Sequence, residues 1–178
     1  MESVKLVETV ESDYDEYYKI RSSPADIYWN GYTKKPDYEI FREIFIKRTS
    51  EAKFTDLGDR RIYLVQNTNG ENVGFIQFIK HEKAIEIGYT ITELYQRKGY
   101  ATEAVRQATS LALRYSQTTI VRIRDDNIAS QGVATKCGYS KTEHFIVKNY
   151  PGAGNIKLRI YEYQQNVKLL TSQQITPN

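Results

Sequence analysis

Three strand-like segments in close succession, the last running almost directly into a helix, constrain this chain more than any other feature. Ile62-Tyr63-Leu64-Val65 is followed by the turn Asn67-Thr68-Asn69-Gly70, then by Val73 to Ile79, a short turn from Lys80 to Lys83, and Ala84 to Ile91. Turns this short can join only antiparallel neighbours, because a parallel crossover needs a dozen residues or more. After Gly99 the period changes to that of a helix, with Ala101, Ala104, Val105, Ala108, Leu111, Ala112 and Tyr115 on one stripe. A meander and an amphipathic helix bury their apolar faces by packing on one another.

The flanking segments extend this plan. Val4, Leu6 and Val7 suggest an opening strand, and Ser12-Asp13-Tyr14-Asp15 starts a helix that ends near Ser22-Ser23-Pro24. Asp26 to Lys35 reads as a loop carrying Tyr28, Trp29 and Tyr32, and Pro36 opens a second helix with Phe41 and Phe45 one turn apart. Downstream come a strand at Ile120 to Ile123, a helix from Asn127 to Lys136 capped by Gly138, and strands at Thr142 to Val147 and Ile156 to Tyr163 around Pro151-Gly152-Ala153-Gly154. The expected fold is α/β of the α+β type: a single mixed, mostly antiparallel sheet of about six or seven strands flanked by about four helices. Residues 1–165 form one expected domain, and 166–178 a polar tail expected to be partly disordered.

Composition removes several function classes. A chain that is 40% hydrophobic and 26% charged is an ordinary globular one. Its net charge of +3 comes from cations scattered among acids rather than a basic stripe, so no nucleic-acid partner is expected. No apolar run approaches the roughly 20 residues that span a bilayer, and the start lacks the apolar core of a signal peptide, so no membrane association is expected. The lone cysteine, Cys137, excludes an internal disulfide and reads as a small buried residue; no metal-ligand spacing appears. A cytoplasmic protein without a metal is expected.

The chemistry concentrates between Glu86 and Thr102, where a strand passes through a short loop into a helix. No proline lies between Gln96 and Thr102, so every backbone N–H is available. Gly99 admits a left-handed backbone and close ligand approach, and Ala101 keeps the first helical turn slim. Amides at a helix start, with Arg97 and Lys98 beside them, form an anion cradle suited to a pyrophosphate. On these residues alone a simple tight turn has an equal claim. The nucleotide-hydrolysing pattern Gly-x-x-x-x-Gly-Lys-Ser/Thr and the dinucleotide pattern Gly-x-Gly-x-x-Gly are both absent.

Gln96-x-x-Gly99-x-Ala101 after a strand resembles the Gln/Arg-x-x-Gly-x-Gly/Ala motif of the GNAT superfamily of N-acetyltransferases. Asn127-x-x-Ser130-x-x-Val133-x-x-Lys136-x-Gly138-Tyr139 is similar to that family's second helix. With Glu86-Ile87-Gly88-Tyr89, it looks most like the branch of ribosomal-protein N-terminal acetyltransferases. The resemblance covers about Ile62 to Tyr163. It implies acetyl-coenzyme A as donor, with its pyrophosphate on the amides of Gln96, Arg97, Lys98, Gly99, Tyr100, Ala101 and Thr102. It also implies a pantetheine arm paired like an extra strand with Tyr89 and Ile91, and further contacts from Asn127 and Lys136. Asn127 has an equal claim as a helix cap, and Lys136 as a solvated charge.

Acetyl transfer to an amine needs a proton removed and a thiolate stabilised. An amine of pKa about 10.4 is neutral in only about 1 part in 2,500 at pH 7, a deficit of about 4.6 kcal/mol. Glu86, on the strand face of Gly88 and Thr90, is the candidate base, with a structural ion pair as the competing role. Many relatives carry a tyrosine acid where this chain has Ala134; the branch it resembles can use the serine, making Ser130 the candidate acid. Arg21, Tyr28 and Trp29 lie where relatives build the acceptor pocket. The expected acceptor is a small amine (an amino sugar, aminoglycoside or polyamine) or a protein N-terminus. A non-catalytic acyl-coenzyme A sensor is the alternative. A homodimer is compatible with the sequence but not required by it.

Overall fold

The computed structural model describes residues 3–50 and 54–165. Among these residues seven strands form one sheet in the order β1-β2-β3-β4-β5-β7-β6. They are β1 (Val4–Glu8), β2 (Arg60–Asn67), β3 (Asn72–Lys80), β4 (Ile85–Ile91), β5 (Thr118–Arg124), β6 (Ser140–Tyr150) and β7 (Gly154–Gln164). All neighbours are antiparallel except β4 and β5. Five α-helices of the described residues flank the sheet: α1 (Tyr14–Arg21), α2 (Pro24–Trp29), α3 (Tyr38–Ser50), α4 (Tyr100–Ala112) and α5 (Ile128–Lys136). The expected tail at 166–178 lies outside the described residues.

One expected loop is corrected. Residues 24–29 form a helix, because Ser23 accepts the Asp26 N–H at 3.3 Å and Pro24 supplies a preset first turn. That helix raises the count from about four to five. The next helix starts at Tyr38 rather than Pro36, and Asp37 caps it by accepting the Ile40 N–H at 3.0 Å.

The strand period of two sends alternate residues to two separate cores. On one face Val65, Ile76, Phe78, Ile85 and Ile87 pack against Ala104, Val105, Ala108 and Ala112 of α4. Those four helical residues are fully buried, and three alanines let the helix lie close to the sheet. On the other face Ile62, Leu64 and Phe75 meet Tyr14, Tyr17 and Ile20 of α1 and Phe45 of α3. The tyrosines of α1 are ring-packing residues here: Tyr17 stacks on Phe45 at 4.9 Å and meets Phe75 edge-on at 5.2 Å.

A buried hydroxyl chain joins α4, β5 and the end of α5. The Tyr139 oxygen lies 2.8 Å from both Thr109 and Thr119, while Thr109 donates to the Val105 carbonyl at 2.8 Å. Each hydroxyl has one proton, so the order Thr119 to Tyr139 to Thr109 to Val105 satisfies every member. Tyr139→Phe is expected to cost about 1–3 kcal/mol by stranding the buried Thr119 hydroxyl, while Thr109 keeps its bond to Val105. A urea melt with an unchanged midpoint would show that this chain contributes nothing.

Candidate active site

The two parallel strands part almost as soon as they meet. β4 and β5 pair only at Ile85↔Thr119 and Glu86↔Ile120. Beyond that, among the described residues, the edge of β4 facing β5 has no strand partner. Thr92 donates to Val73 on the β3 side at 2.9 Å, and the Thr90 carbonyl also faces β3, 2.1 Å from where a Cβ on Gly74 would stand. By alternation, Tyr89 and Ile91 turn their amide groups toward the gap. The Ile91 carbonyl is already taken by Gln96 Nε2 at 2.9 Å, so the Gln96 side chain braces the loop from within.

The loop after β4 bends through two left-handed residues, Arg97 at φ 60° and Gly99 at φ 93°. Gly99 is the N-cap of α4. Among the described residues no protein acceptor takes the N–H of Arg97, Lys98, Gly99, Tyr100, Ala101 or Thr102. Six unclaimed donors at a helix start, beside a strand edge with free amides, fit a diphosphate on an amide-containing arm. Lys98 lies outside the cleft lining, its ammonium 5.4 Å from the Tyr95 ring. The Tyr100 side chain is buried in the α4 core, leaving only its amide for a ligand.

Helix α5 forms the opposite lip. Asn127 Oδ1 accepts the Ser130 N–H at 3.0 Å, which makes Asn127 the helix cap and leaves its own amide donors without a protein partner among the described residues. The Ser130 carbonyl accepts the Tyr89 hydroxyl at 3.3 Å, and burial pushes that phenol far up, so it stays protonated. Lys136 lines the cleft in the last turn. Cys137 donates to the Thr102 carbonyl at 3.3 Å, and burial raises its thiol, as suits a packing residue rather than a nucleophile.

On the other sheet face the cleft, of roughly 1170 Å³ in all, widens among α1, α2, α3 and the β6–β7 hairpin. Glu86 is held by two side chains: its Oε2 lies 2.8 Å from His81 Nε2 and 3.3 Å from Arg122 Nε. Gly88 leaves open space beside it, since a Cβ there would meet nothing closer than Gln77 at 4.0 Å. Asp26 is buried at the far end of the same row, accepting from Thr90 Oγ1 at 2.8 Å and pairing with Arg21 at 3.1 Å. Burial raises the Asp26 carboxyl, and Arg21 works against that rise.

Arg21 and Trp29 line the cleft; Tyr28 does not. The rings of Tyr28 and Trp29 each lie 5.1 Å from the Arg124 guanidinium, which also donates to the Tyr28 carbonyl at 3.2 Å. This stack pins α2 to the end of β5. The hairpin closes the same wall: Tyr150 packs on Gly31, where a Cβ would stand 2.0 Å from the ring, and Gly152 donates to the Gly31 carbonyl at 3.2 Å.

Sequence reasoning missed Asp26, His81, Arg122, Arg48 and Arg60. The one readable signal was Ser23-Pro24-x-Asp26, a helix start that would have placed Asp26 on a positioned element. Among the described residues no group of three or more His, Cys, Asp or Glu is gathered as a metal site, and no helix is long and apolar enough to cross a membrane.

A family model described as an acetyltransferase (GNAT) domain matches residues 4–140. No curated protein matches the sequence. Among solved structures, spermidine N-acetyltransferase from Vibrio cholerae, in complex with CoA and spermine, superposes with a TM-score of 0.77 at 13% identity, over 91% of this chain and 95% of that one. RimL, a ribosomal L7/L12 alpha-N-protein acetyltransferase in complex with coenzyme A, gives 0.76 at 18% identity, over 91% and 94%. Aminoglycoside acetyltransferase AAC(6')-Ib in complex with coenzyme A gives 0.73 at 16%, over 92% and 95%. At these identities the likeness is one of fold.

Proposed function

The chain belongs to the GNAT acetyltransferase family, and from that premise we propose that it transfers the acetyl group of acetyl-coenzyme A to a primary amine by direct attack in a ternary complex. The observation that carries the reading is the run of unclaimed amides from Arg97 to Thr102 beside the parted β4–β5 edge.

When bound, acetyl-coenzyme A supplies an activated acetyl group on a thioester. The amides from Arg97 to Thr102 hold the diphosphate, and Tyr89 and Ile91 pair with the arm through the gap between strands. Asn127 turns its free amide donors toward the same arm, and Lys136 adds positive charge at the rim. Glu86 takes the proton that the acceptor ammonium must release, and His81, hydrogen-bonded to it, offers a route onward to solvent. Ser130 presents a hydroxyl for the departing sulfur, with the protonated Tyr89 phenol beside it. Arg21 and Trp29 shape the acceptor wall, and Tyr28 acts through the Arg124 stack. Holding amine and acetyl group together in one cleft supplies much of the remaining rate.

Residues 1–165 act as one catalytic domain in this reading, working in the cytoplasm, where a free Cys137 is at home. A second copy would add at β6, an eleven-residue edge strand that exposes Phe145 and Val147.

The test is free-thiol release from acetyl-coenzyme A over a panel of peptides, amino sugars, aminoglycosides and spermidine. Release that depends on an added amine is expected. Tight acetyl-coenzyme A binding with no release for any amine would leave a non-catalytic sensor in its place.

A further inference from the structure

The acceptor half of the cleft has a charge imbalance that the reaction does not use. Among the described residues six cations line it (Arg21, Arg48, Arg60, Arg122, Arg124 and Lys148), against the two carboxylates Asp26 and Glu86. Both carboxylates are already engaged, Asp26 by Arg21 and Glu86 by Arg122 and His81. Arg124 has its own partner in Asp126 at 2.7 Å. Arg48 and Arg60, both half-buried, have no acceptor or ion-pair partner among the described residues. They are also close enough to repel: burial first, and then Arg60 and Arg21, push the Arg48 guanidinium below its usual range.

Two unpaired guanidinium groups held together in a half-desolvated wall are costly unless an anion completes them. Their position excludes the cofactor diphosphate as that anion. Arg60 shares a strand face with Ile62 and Leu64, which pack on α1 and α3, whereas the cradle at Gly99 opens α4 on the opposite face. Arg60 pairs across the sheet with Ile79, and Ile79 with Glu86. These three side chains share a face, with the Arg60 and Glu86 backbones two strand spacings apart, about 10 Å. The base and the anion site therefore sit at two ends of one small molecule.

Resting on the acetyl-transfer reading, we infer that the acceptor is an amine that also carries a phosphate or a carboxylate, seated with its anionic group on Arg48 and Arg60 and its amino group toward Glu86. Polycationic amines meet a wall of their own sign, with no unengaged carboxylate among the described lining residues to receive them.

The test pairs acceptors that differ only in charge. Glucosamine 6-phosphate is compared with glucosamine, and the peptide Ser-Asp-Glu with Ser-Asn-Gln, so that the two arms separate phosphate from carboxylate; spermidine is the polycation. Thiol release gives kcat/KM, and calorimetry on the coenzyme A-loaded protein gives binding independently of turnover. One anionic member is expected to exceed its neutral twin by about tenfold in kcat/KM, an advantage that shrinks as salt rises. The double variant Arg48→Gln, Arg60→Gln is expected to remove most of that advantage through KM while its affinity for acetyl-coenzyme A stays that of the parent. Preference for spermidine, or an anionic-to-neutral ratio that the double variant leaves unchanged, overturns the inference while the acetyl-transfer reading stands. Arginine-dependent binding of an anionic amine without thiol release has the opposite meaning: the charge assignment holds and the acetyl-transfer reading fails. Absence of any anionic preference in both measurements overturns the inference.

Discussion

Gly99→Val is expected to weaken acetyl-coenzyme A binding by about 100-fold, equivalent to about 2.7 kcal/mol. Two costs combine. At φ 93° the backbone is left-handed, a region that costs an ordinary L-residue about 1–2 kcal/mol and a β-branched one more. Relaxing that strain would turn the loop and misalign the amides from Arg97 to Thr102, which work as a cradle only together. The fold should survive, because Gly99 lies outside both apolar clusters. Titration calorimetry alongside a thermal melt separates the two effects. A variant that melts like the parent and binds within threefold of it would show that the cofactor does not sit on this turn.

Glu86→Gln is expected to lower kcat by about 100-fold or more, the lower end of what a positioned base contributes. Glutamine keeps the shape and can still hydrogen-bond to His81, but it cannot take up a proton or pair with Arg122. The residual rate should then track the fraction of free amine alone, climbing about tenfold per pH unit until the amine itself titrates. Acetyl-coenzyme A affinity should be unaffected, since the side chain faces away from the α4 cradle. If the variant is merely less stable, with kcat and its pH profile unchanged, Glu86 is a structural ion pair and the proton leaves by another route.

The proposed donor half of the site was legible as a candidate because its signals are local. Gln96, Gly99 and Ala101 lie within six residues, and Asn127 and Ser130 within one helical turn, so period and spacing place them without knowledge of the fold. The meander was legible for the same reason: its turns are short and its strands alternate. The proposed acceptor half is assembled from residues far apart in the chain. Arg122 meets Glu86 across 36 positions, and Asp26 reaches Thr90 across 64. Arg48 and Arg60 come from a helix end and a strand start, each an ordinary surface charge by pattern. Helix α2 was hidden by its six-residue length, too short for a periodic signal, and by aromatic residues that read equally well as a loop.

The sheet acts as a bulkhead between two compartments with different duties. The aromatic packing that carries α1 and α3 touches one side only, so changes in that wall need not propagate to the side where we propose the donor is held. Lineages descended from such a scaffold can exchange one amine for another by repainting a single surface, while the machinery for activated acetyl groups is inherited intact.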